Sequence, residues 1–572
     1  MNNKYVKEII IFFSIWIMFI IIYILRPIMP DWDWYNYRAY NCWAFLNGRL
    51  PIDFFASNLR TCINPLINLP EYFLMVKVKN FYLATILGTI NISILMFFLY
   101  KMIDFLFAQQ GNLFKIILFL FSFIYLINSP MFLKLSIIGG SSDVIIAMLC
   151  LAGLYYLMKN LFIIPDKKRN LFIFICGCLF GAAAGLKYTA IVSFITVCLI
   201  FIIFRKKTFR PYYTLMLFLL GGFISFFITG GIWMIYCYNI YHNPVFPYFN
   251  DIFHSEYADF VRVHNSDYEH ILPKNLFEYV FYSFLKYENE YKVFGYDNRA
   301  YDLRWGISYI CVVFLSTGCF ISKYLKKGEQ QEYFPNLISN NSFYLLLCFI
   351  TFSYLINTAV FGTYRYIMAS YCLFGIIVYL FSEALFCNIK FKKFIIFCFC
   401  VLITLFVYLK SGNGYIDLVF NFGETITKKE VLSSPVFKNK NLEFKNDSKV
   451  FILNNGTAIG AVGQNKNTQY IGFSLDRENY DILDKYKEFY LLGAYFVPSN
   501  YIAGLNKKII LSNDFVHIIY SEDTDPNIVL RILEKYNKER EIPRKISNCI
   551  PADIAYYGIS ANYMNIVKCD FN

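Results

Sequence analysis

Residues 9–28 read IIIFFSIWIMFIIIYILRPI, with no charged side chain before Arg26. A helix needs about 20 mostly apolar residues to cross the hydrocarbon core of a bilayer. Lys4 and Lys7 precede the stretch, but no small-residue cleavage site follows it, and it is too long for the core of a signal peptide. The sequence therefore predicts a retained membrane-spanning helix near the N-terminus.

Ten further apolar stretches follow, and the whole chain shares this character. Of its 572 residues, 57% are hydrophobic and 16% charged, whereas soluble proteins are about 25% charged. This composition excludes a disordered chain, a disulfide-rich mini-protein and an ordinary cytosolic enzyme. It predicts a polytopic α-helical membrane protein of about eleven spans, the others at about 81–103, 114–130, 142–158, 171–186, 188–204, 212–236, 304–322, 342–358, 366–386 and 394–410.

Lysine and arginine cluster in alternate connections between these spans. Such short basic loops remain in the cytoplasm, and all of them fall on one side if the span count is right. The prediction is a cytoplasmic N-terminus and an extracytoplasmic C-terminal segment. The net charge of +13 is thus mostly a topology signal, and nucleic-acid binding is disfavoured because the basic clusters are short, dispersed and beside spans: Lys4–Lys7, Lys159–Arg169, Arg205–Arg210, Lys323–Lys327 and Lys390–Lys393.

The polar stretches define the predicted domains. We expect a transmembrane domain over residues 1–410, with outer loops at 30–80 and 237–303, and a soluble α/β domain over 411–572. Residues 449–453 and 515–520 indicate buried strands. Residues 476–490 and 526–540 are predicted as helices, the second after an Asp525 N-cap with Pro526 in the first turn.

Two cysteines, Cys42 and Cys62, lie in the predicted first outer loop, and two more, Cys549 and Cys569, lie in the tail. An oxidising exterior favours a Cys549–Cys569 bridge in the tail over a Cys42–Cys62 bridge in the first loop. Sequence alone fixes neither pairing.

Ionisable groups collect at the predicted outer ends of spans, where Asp143, Lys187, Arg304 and Arg365 lie. In the first outer loop, Asp31 and Asp33 stand among tryptophans in the run PDWDWYNYR, which starts at Pro30. The loop is also predicted to form an amphipathic helix that lies on the membrane surface. Carboxylates beside a bilayer point to chemistry, and the alternative is that Asp31 or Asp33 is only the N-cap of this helix. A site at the water–membrane boundary is predicted.

At this point the sequence resembles the GT-C superfamily of membrane glycosyltransferases, in particular the protein-mannosyltransferase and aminoarabinose-transferase type, bacterial members included. The likeness covers about residues 5–410, in layout more than in identity. Many members have adjacent Asp-Glu in the first loop, whereas here Trp32 separates Asp31 from Asp33. The matching motifs are Asp33-x-x-x-Tyr37, a Pro65-Leu66 element before the second span, the Gly181–Tyr188 segment, the Asn243–Pro247 segment and Arg365-Tyr366.

The resemblance implies an inverting transfer of a sugar from a polyprenyl-phosphate-linked donor to a glycan or lipid acceptor, on the outer face of the cytoplasmic membrane. The matched spacing puts Asp33 first as general base, with Asp31 as the alternate and Tyr37 as a substrate-binding neighbour. Some members use a divalent metal ion and others do not, so no cofactor or metal is assigned.

Chemistry supports this donor. Nucleotide sugars are absent outside the cytoplasm, so an activated sugar must arrive on a lipid carrier, whose phosphate leaves as a stable anion. The reaction then needs one base and cations for the phosphate. Lys187 and Arg365 are predicted to bind that phosphate, with Arg304 as a third candidate. His254 and Glu256 are further candidates for a sugar or a metal ion, although a solvated loop is the simpler interpretation.

Three alternative functions predict different sequence features. An O-antigen-type polymerase or ligase would concentrate arginines in a large late outer loop. A lipid or oligosaccharide flippase would show polar residues along a central cavity and paired halves. A membrane scaffold whose tail binds a partner would not need Asp31 or Asp33. The dense carboxylate loop favours the transferase.

Overall fold

The computed structural model describes residues 3–25, 33–53, 56–127, 142–246, 248–255, 272–282, 302–324, 341–386, 391–410 and the tail strands given below. Its α-helices are α1 (Asn3–Leu25), α2 (Ala39–Leu46), α3 (Leu69–Tyr72), α4 (Phe81–Leu106), α5 (Asn112–Ile127), α6 (Ser142–Asn160), α7 (Lys167–Leu186), α8 (Ile191–Ile203), α9 (Pro211–Phe226), α10 (Ile232–Tyr241), α11 (Asn250–Phe253), α12 (Leu276–Phe281), α13 (Arg304–Tyr324), α14 (Asn341–Val360), α15 (Met368–Tyr371), α16 (Phe374–Leu385) and α17 (Lys392–Lys410).

Within the described residues, six helices are long and apolar enough to cross a membrane: Tyr5–Ile22, Tyr82–Leu106, Ser142–Asn160, Lys167–Leu186, Pro211–Tyr241 and Asn341–Val360. A seventh results if Tyr364–Tyr371 and Phe374–Leu385, bent by 55°, form one broken span. Two shorter apolar helices cover Asn112–Leu126 and Tyr188–Ile203. The chain is a polytopic helical membrane protein, and the count of eleven spans stays a prediction.

The chain divides into two compact units. The helical unit comprises Met1–Ile28, Thr85–Gly231 and Asp267–Gly423. The mixed unit comprises Met29–Ala84, Ile232–Ser266 and Glu424–Asn572, so it combines most of the predicted tail with the whole of the first predicted outer loop and part of the second. The predicted division into residues 1–410 and 411–572 stays a prediction.

Close backbone contact joins α7 to α9 in the helical unit. Gly177 and Gly181 are one helical turn apart on α7, and a Cβ added to either would overlap a main-chain oxygen, of Phe218 and Gly222 respectively. Small residues at this spacing let helices approach closely, which is how helices associate without a hydrophobic driving force between them. Part of the Gly181–Tyr188 motif therefore serves packing.

The mixed unit contains β1 (Ala56–Leu59) and the tail strands β2 (Lys449–Asn454), β3 (Gln469–Ser474), β4 (Phe489–Leu492), β5 (Tyr495–Pro498), β6 (Phe515–Ser521), β7 (Ile546–Tyr556) and β8 (Tyr563–Phe571). Five of them form a sheet in the order β3-β2-β6-β8-β7, while β4 and β5 pair as a separate antiparallel ribbon. Strand β2 is parallel to both β3 and β6, and β8 is antiparallel to β6 and β7. Strand β1, from the first loop, lies beside β3.

These strands test the tail predictions. The strands predicted at 449–453 and 515–520 are confirmed as β2 and β6. The helix predicted at 476–490 is wrong at its end, because residues 489 and 490 pair with β5 in the ribbon; its other residues, like those of the helix predicted at 526–540, lie outside the described residues. The α/β class of the tail stays a prediction.

The cysteine pairings have different outcomes. Cys42 and Cys62 are buried free thiols, so a bridge between them is wrong. Cys549 and Cys569 lie on the neighbouring strands β7 and β8, and their pairing stays a prediction.

The glycine contact gives the first testable prediction. Gly181→Ala is expected to lower the stability of the detergent-purified protein by roughly 1–3 kcal/mol, because the added Cβ meets backbone that must shift. Gly111→Ala is the matched control, since a Cβ there meets nothing within 4 Å. Thermal unfolding of both variants is the measurement. Equal melting of Gly181→Ala and the wild type would contradict the close packing of α7 on α9.

Candidate functional site

Two predicted cations from separate segments of the helical unit meet at one aromatic ring. Lys187 Nζ lies 5.2 Å from the ring centroid of Tyr366, and Arg365 Cζ lies 5.3 Å from it. Both distances are within the range of cation–π attraction. The structure thus brings together the two residues that were predicted to bind the donor phosphate.

Local backbone structure places these side chains. Helix α7 ends at Leu186, and Lys187 is its C-cap, in an extended conformation that leads into a 3₁₀ turn at Tyr188–Ala190. A second 3₁₀ turn, Tyr364–Ile367, precedes α15 and carries Arg365 and Tyr366. Both cations therefore lie where helices begin or end, and neither has to be buried at the middle of a span.

A carboxylate completes this group, which we call the Lys187 cluster (Asp143, Lys187, Arg365 and Tyr366). Asp143 lies in the first turn of α6, and its Oδ1 is 2.5 Å from Lys187 Nζ. The Asp143 side chain is 3% exposed and that of Lys187 is 22% exposed, while Arg365 is half-buried. Among the described residues, this group therefore contains two cations and one carboxylate.

Arg304 lies in different surroundings. Its guanidinium is 1% exposed, pairs with Asp302 Oδ1 at 2.8 Å and donates from Nε to the carbonyl oxygen of Tyr125. Tyr371 donates a hydrogen bond to the second oxygen of Asp302. This buried pair joins α13 to neighbouring elements. It therefore favours a structural role for Arg304 over binding of an anion.

The predicted base, Asp33, has helical backbone and lies in the mixed unit. A π-helical turn, Trp34–Arg38, follows it and runs directly into α2. Because a π turn brings residues five apart into register, Asp33 and Arg38 face each other, with Oδ2 and Nη2 3.2 Å apart. The Asp33 side chain keeps 23% of its surface exposed, against 4% for Arg38.

This geometry corrects two expectations. The Asp33 side chain makes no capping hydrogen bond, so the N-cap interpretation is wrong for this residue. The helix predicted along the first loop exists, but Ala39 to Ala44 are all buried. A helix lying on a membrane surface would leave one face open, whereas this one is packed on every side.

Of the four other predicted residues, the structure describes two. Tyr37 lies in the π turn that follows Asp33 and is half-buried. His254 is exposed, at the end of the short helix α11. Asp31 and Glu256 lie outside the described residues. Within the described part of the chain, no group of three or more His, Cys, Asp or Glu side chains is placed to hold a metal ion.

A buried polar group in the mixed unit consists of residues that the sequence analysis did not single out. Asp53 is buried together with Arg49 and Tyr40, and it reaches β3 in the tail. The spacing Arg49-x-x-x-Asp53 was a usable signal for an ion pair. No local signal linked Asp53 to Tyr470, which lies 417 residues away.

Comparison with known proteins gives one structural likeness. The crystal structure of ArnT from Cupriavidus metallidurans bound to undecaprenyl phosphate is similar to this chain at 10% sequence identity and a TM-score of 0.44, over 99% of this chain and 98% of that one. No family model matches the chain, and no curated protein matches it. A likeness at this level establishes no activity, so function must be inferred from the side chains.

The burial of Arg304 gives the second prediction. Arg304→Gln leaves the Asp302 carboxylate buried without its cation, a change that costs about 3–5 kcal/mol of stability. We expect a marked fall in the melting temperature in detergent. Arg205→Gln is the control, because Arg205 is exposed. A variant at Arg304 that melts like the wild type would show that the buried pair contributes little.

Proposed function

We propose that this protein is a membrane glycosyltransferase of the GT-C type. It moves a sugar from a polyprenyl-phosphate carrier to a cell-envelope glycan or lipid on the outer face of the cytoplasmic membrane. The observation that carries the proposal is the meeting of Lys187 and Arg365 at Tyr366. Undecaprenyl phosphate, bound in the ArnT structure, belongs to the proposed class of carrier.

The Lys187 cluster has the chemistry to hold a lipid phosphate. Arginine presents a planar fork to two phosphate oxygens, and lysine adds a compact charge. Tyr366 faces both cations, and Asp143 holds the ammonium of Lys187. Cations fixed before the reaction stabilise negative charge as it develops on the departing phosphate.

Asp33 is proposed as the general base of the reaction. Its carboxylate takes the proton of the acceptor hydroxyl while the acceptor oxygen bonds to the anomeric carbon. The bond from that carbon to the phosphate oxygen breaks, and the polyprenyl phosphate leaves as an anion. A single displacement of this kind inverts the anomeric configuration. The exposed part of Asp33 supports the role, since a base must reach its substrate.

Three residues remain as secondary proposals. Tyr37, in the π turn that follows Asp33, is proposed to contact the acceptor or the sugar. His254 is exposed and, with Glu256, is proposed as a sugar contact. Asp31 is the alternative base.

The direct test of the function is a deletion strain examined by mass spectrometry of its lipids and envelope glycans. We expect one glycan or lipid to lose a sugar and the matching polyprenyl-phosphate sugar to accumulate. Both changes should be reversed by the wild-type gene. Unchanged glycans, lipids and carrier pools would count against any transferase.

Lys187→Gln and Arg365→Gln, returned to that strain, test the phosphate site. Each is expected to lower product formation about 10- to 10²-fold, because a charge-assisted hydrogen bond worth about 1.5–3 kcal/mol is lost. Expression should be normal, and the carrier-linked sugar should accumulate. Arg205→Gln, which removes an exposed arginine, is the control. Full activity in both variants would remove these residues from the site.

Asp33→Asn tests the base while preserving the shape of the side chain. Loss of a general base typically lowers the rate about 10²- to 10⁴-fold. Product formation should therefore nearly stop, with normal protein levels. Asp31→Asn is made in parallel. If Asp33→Asn is active and Asp31→Asn is not, Asp31 is the base; if both are active, the base lies elsewhere.

A further inference from the structure

The side chain of Asp53 accepts four hydrogen bonds. Its Oδ2 accepts hydrogen bonds from Tyr40 Oη at 2.8 Å and from Arg49 Nε at 3.1 Å. Its Oδ1 accepts from Arg49 Nη2 at 2.5 Å and from the backbone N–H of Tyr470 at 3.0 Å. The side chains of Asp53 and Arg49 are each 1% exposed, so every one of these bonds is shielded from water.

Aromatic rings enclose the pair. The guanidinium carbon of Arg49 lies 5.5 Å from the ring centroid of Trp43 and 5.5 Å from that of Tyr470. The two rings meet edge to face, with centroids 5.9 Å apart. Both geometries are favourable, cation to ring face and ring edge to ring face. The guanidinium of Arg49 therefore has favourable aromatic contacts in addition to its carboxylate partner.

The donors to Asp53 come from distant parts of the chain. Tyr40 lies on α2, the helix that continues from Asp33 and its π turn. Tyr470 lies on β3, the edge strand of the C-terminal sheet. Burial raises the pKa of the Tyr40 hydroxyl well above its ordinary value, so Tyr40 stays protonated and remains a donor at physiological pH. One carboxylate thus joins the tail to α2, which follows Asp33 and its π turn.

We propose that this group, the Asp53 latch (Tyr40, Trp43, Arg49, Asp53 and Tyr470), makes the C-terminal sheet a positioning element for the helix that carries Asp33. The tail then fixes the direction of α2, and α2 fixes Asp33. Asp53 acts through that helix and touches no substrate. The attachment stands on the contacts alone, whereas its importance for catalysis rests on the function proposed for Asp33.

Loss of the latch should destabilise both α2 and β3. A buried charge that loses its partner is strongly destabilising, so the latch breaks as a whole. Asp53→Asn preserves the shape, but its amide nitrogen donates where the carboxylate accepted, and Arg49 is left buried without a negative charge. Strands β7 and β8 lie at the opposite edge of the sheet from β3 and should be unaffected.

Hydrogen–deuterium exchange of the full-length protein in detergent tests the attachment. Asp53→Asn is expected to speed exchange about tenfold or more in both α2 and β3, because exchange follows the free energy of local opening. Exchange in β7 and β8 should not change. Asp251→Asn is the control, since Asp251 is an exposed carboxylate of the same unit. Faster exchange at only one end, or at neither, would overturn the latch.

Tyr470→Leu provides a second variant in case Asp53→Asn fails to fold. It removes the ring against Trp43 and Arg49 but retains the backbone N–H bonded to Asp53. We expect the same pattern of faster exchange, with a smaller change. Wild-type exchange in both α2 and β3 would again overturn the latch.

Catalysis separates positioning from simple stabilisation. With the acceptor identified by the deletion strain, purified Asp53→Asn should show a kcat lowered about 10²-fold, the effect of a small misplacement, and an unchanged donor KM. Faster exchange with wild-type kcat would overturn the positioning role. An active Asp33→Asn would instead refute the role of Asp33, and the attachment would still be decided by exchange alone.

Discussion

A charge removed from water needs an opposite charge beside it, and this requirement organises both units. Desolvating an isolated ion costs several kcal/mol, a cost that only close pairing offsets. In the helical unit such pairs tie α6 to the end of α7 and α4 to α5. In the mixed unit a pair closes the turn after α2. The described ion pairs, each with at least one largely buried side chain, are Arg38–Asp33, Lys101–Glu8, Lys115–Asp104, Lys187–Asp143, Arg304–Asp302 and Arg49–Asp53.

The same requirement separates two arginines that look alike in the sequence. Arg304 and Arg365 each stand where a helical segment begins, and each was expected to bind phosphate. Arg304 has its carboxylate two residues earlier, at Asp302, and the pair is fully buried. Arg365 is half-buried beside Tyr366 and a second cation. A position at the start of a helical segment therefore does not by itself determine the surroundings of an arginine.

The sequence predicted what depends on local pattern. Apolar runs gave helices, two apolar runs in the tail gave β2 and β6, and charges at predicted helix ends gave Lys187 and Arg365. The ribbon strand Phe489–Leu492 was missed because its apolar run also fits a helix. Gly493-Ala494, between that run and Tyr495–Pro498, was an available hairpin signal. Asp53 and Tyr470 could not be paired from one sequence, because nothing local reports a contact across 417 residues.

A strand at the edge of a sheet has backbone groups that need hydrogen-bond partners, and a buried carboxylate needs donors. In this protein one such backbone N–H donates to the carboxylate. Strand β3 pairs with β2 on one side only, and an open edge exposes backbone N–H and C=O groups to unwanted pairing. Asp53 is buried, and a buried carboxylate needs donors. The N–H of Tyr470 donates to Asp53, and β1 lies close to both β3 and β2. The first loop thus contributes contacts to β3, and the tail contributes one of the donors to Asp53. The contacts of Asp53 therefore link α2, which follows Asp33 and its π turn, to the strand that carries Tyr470.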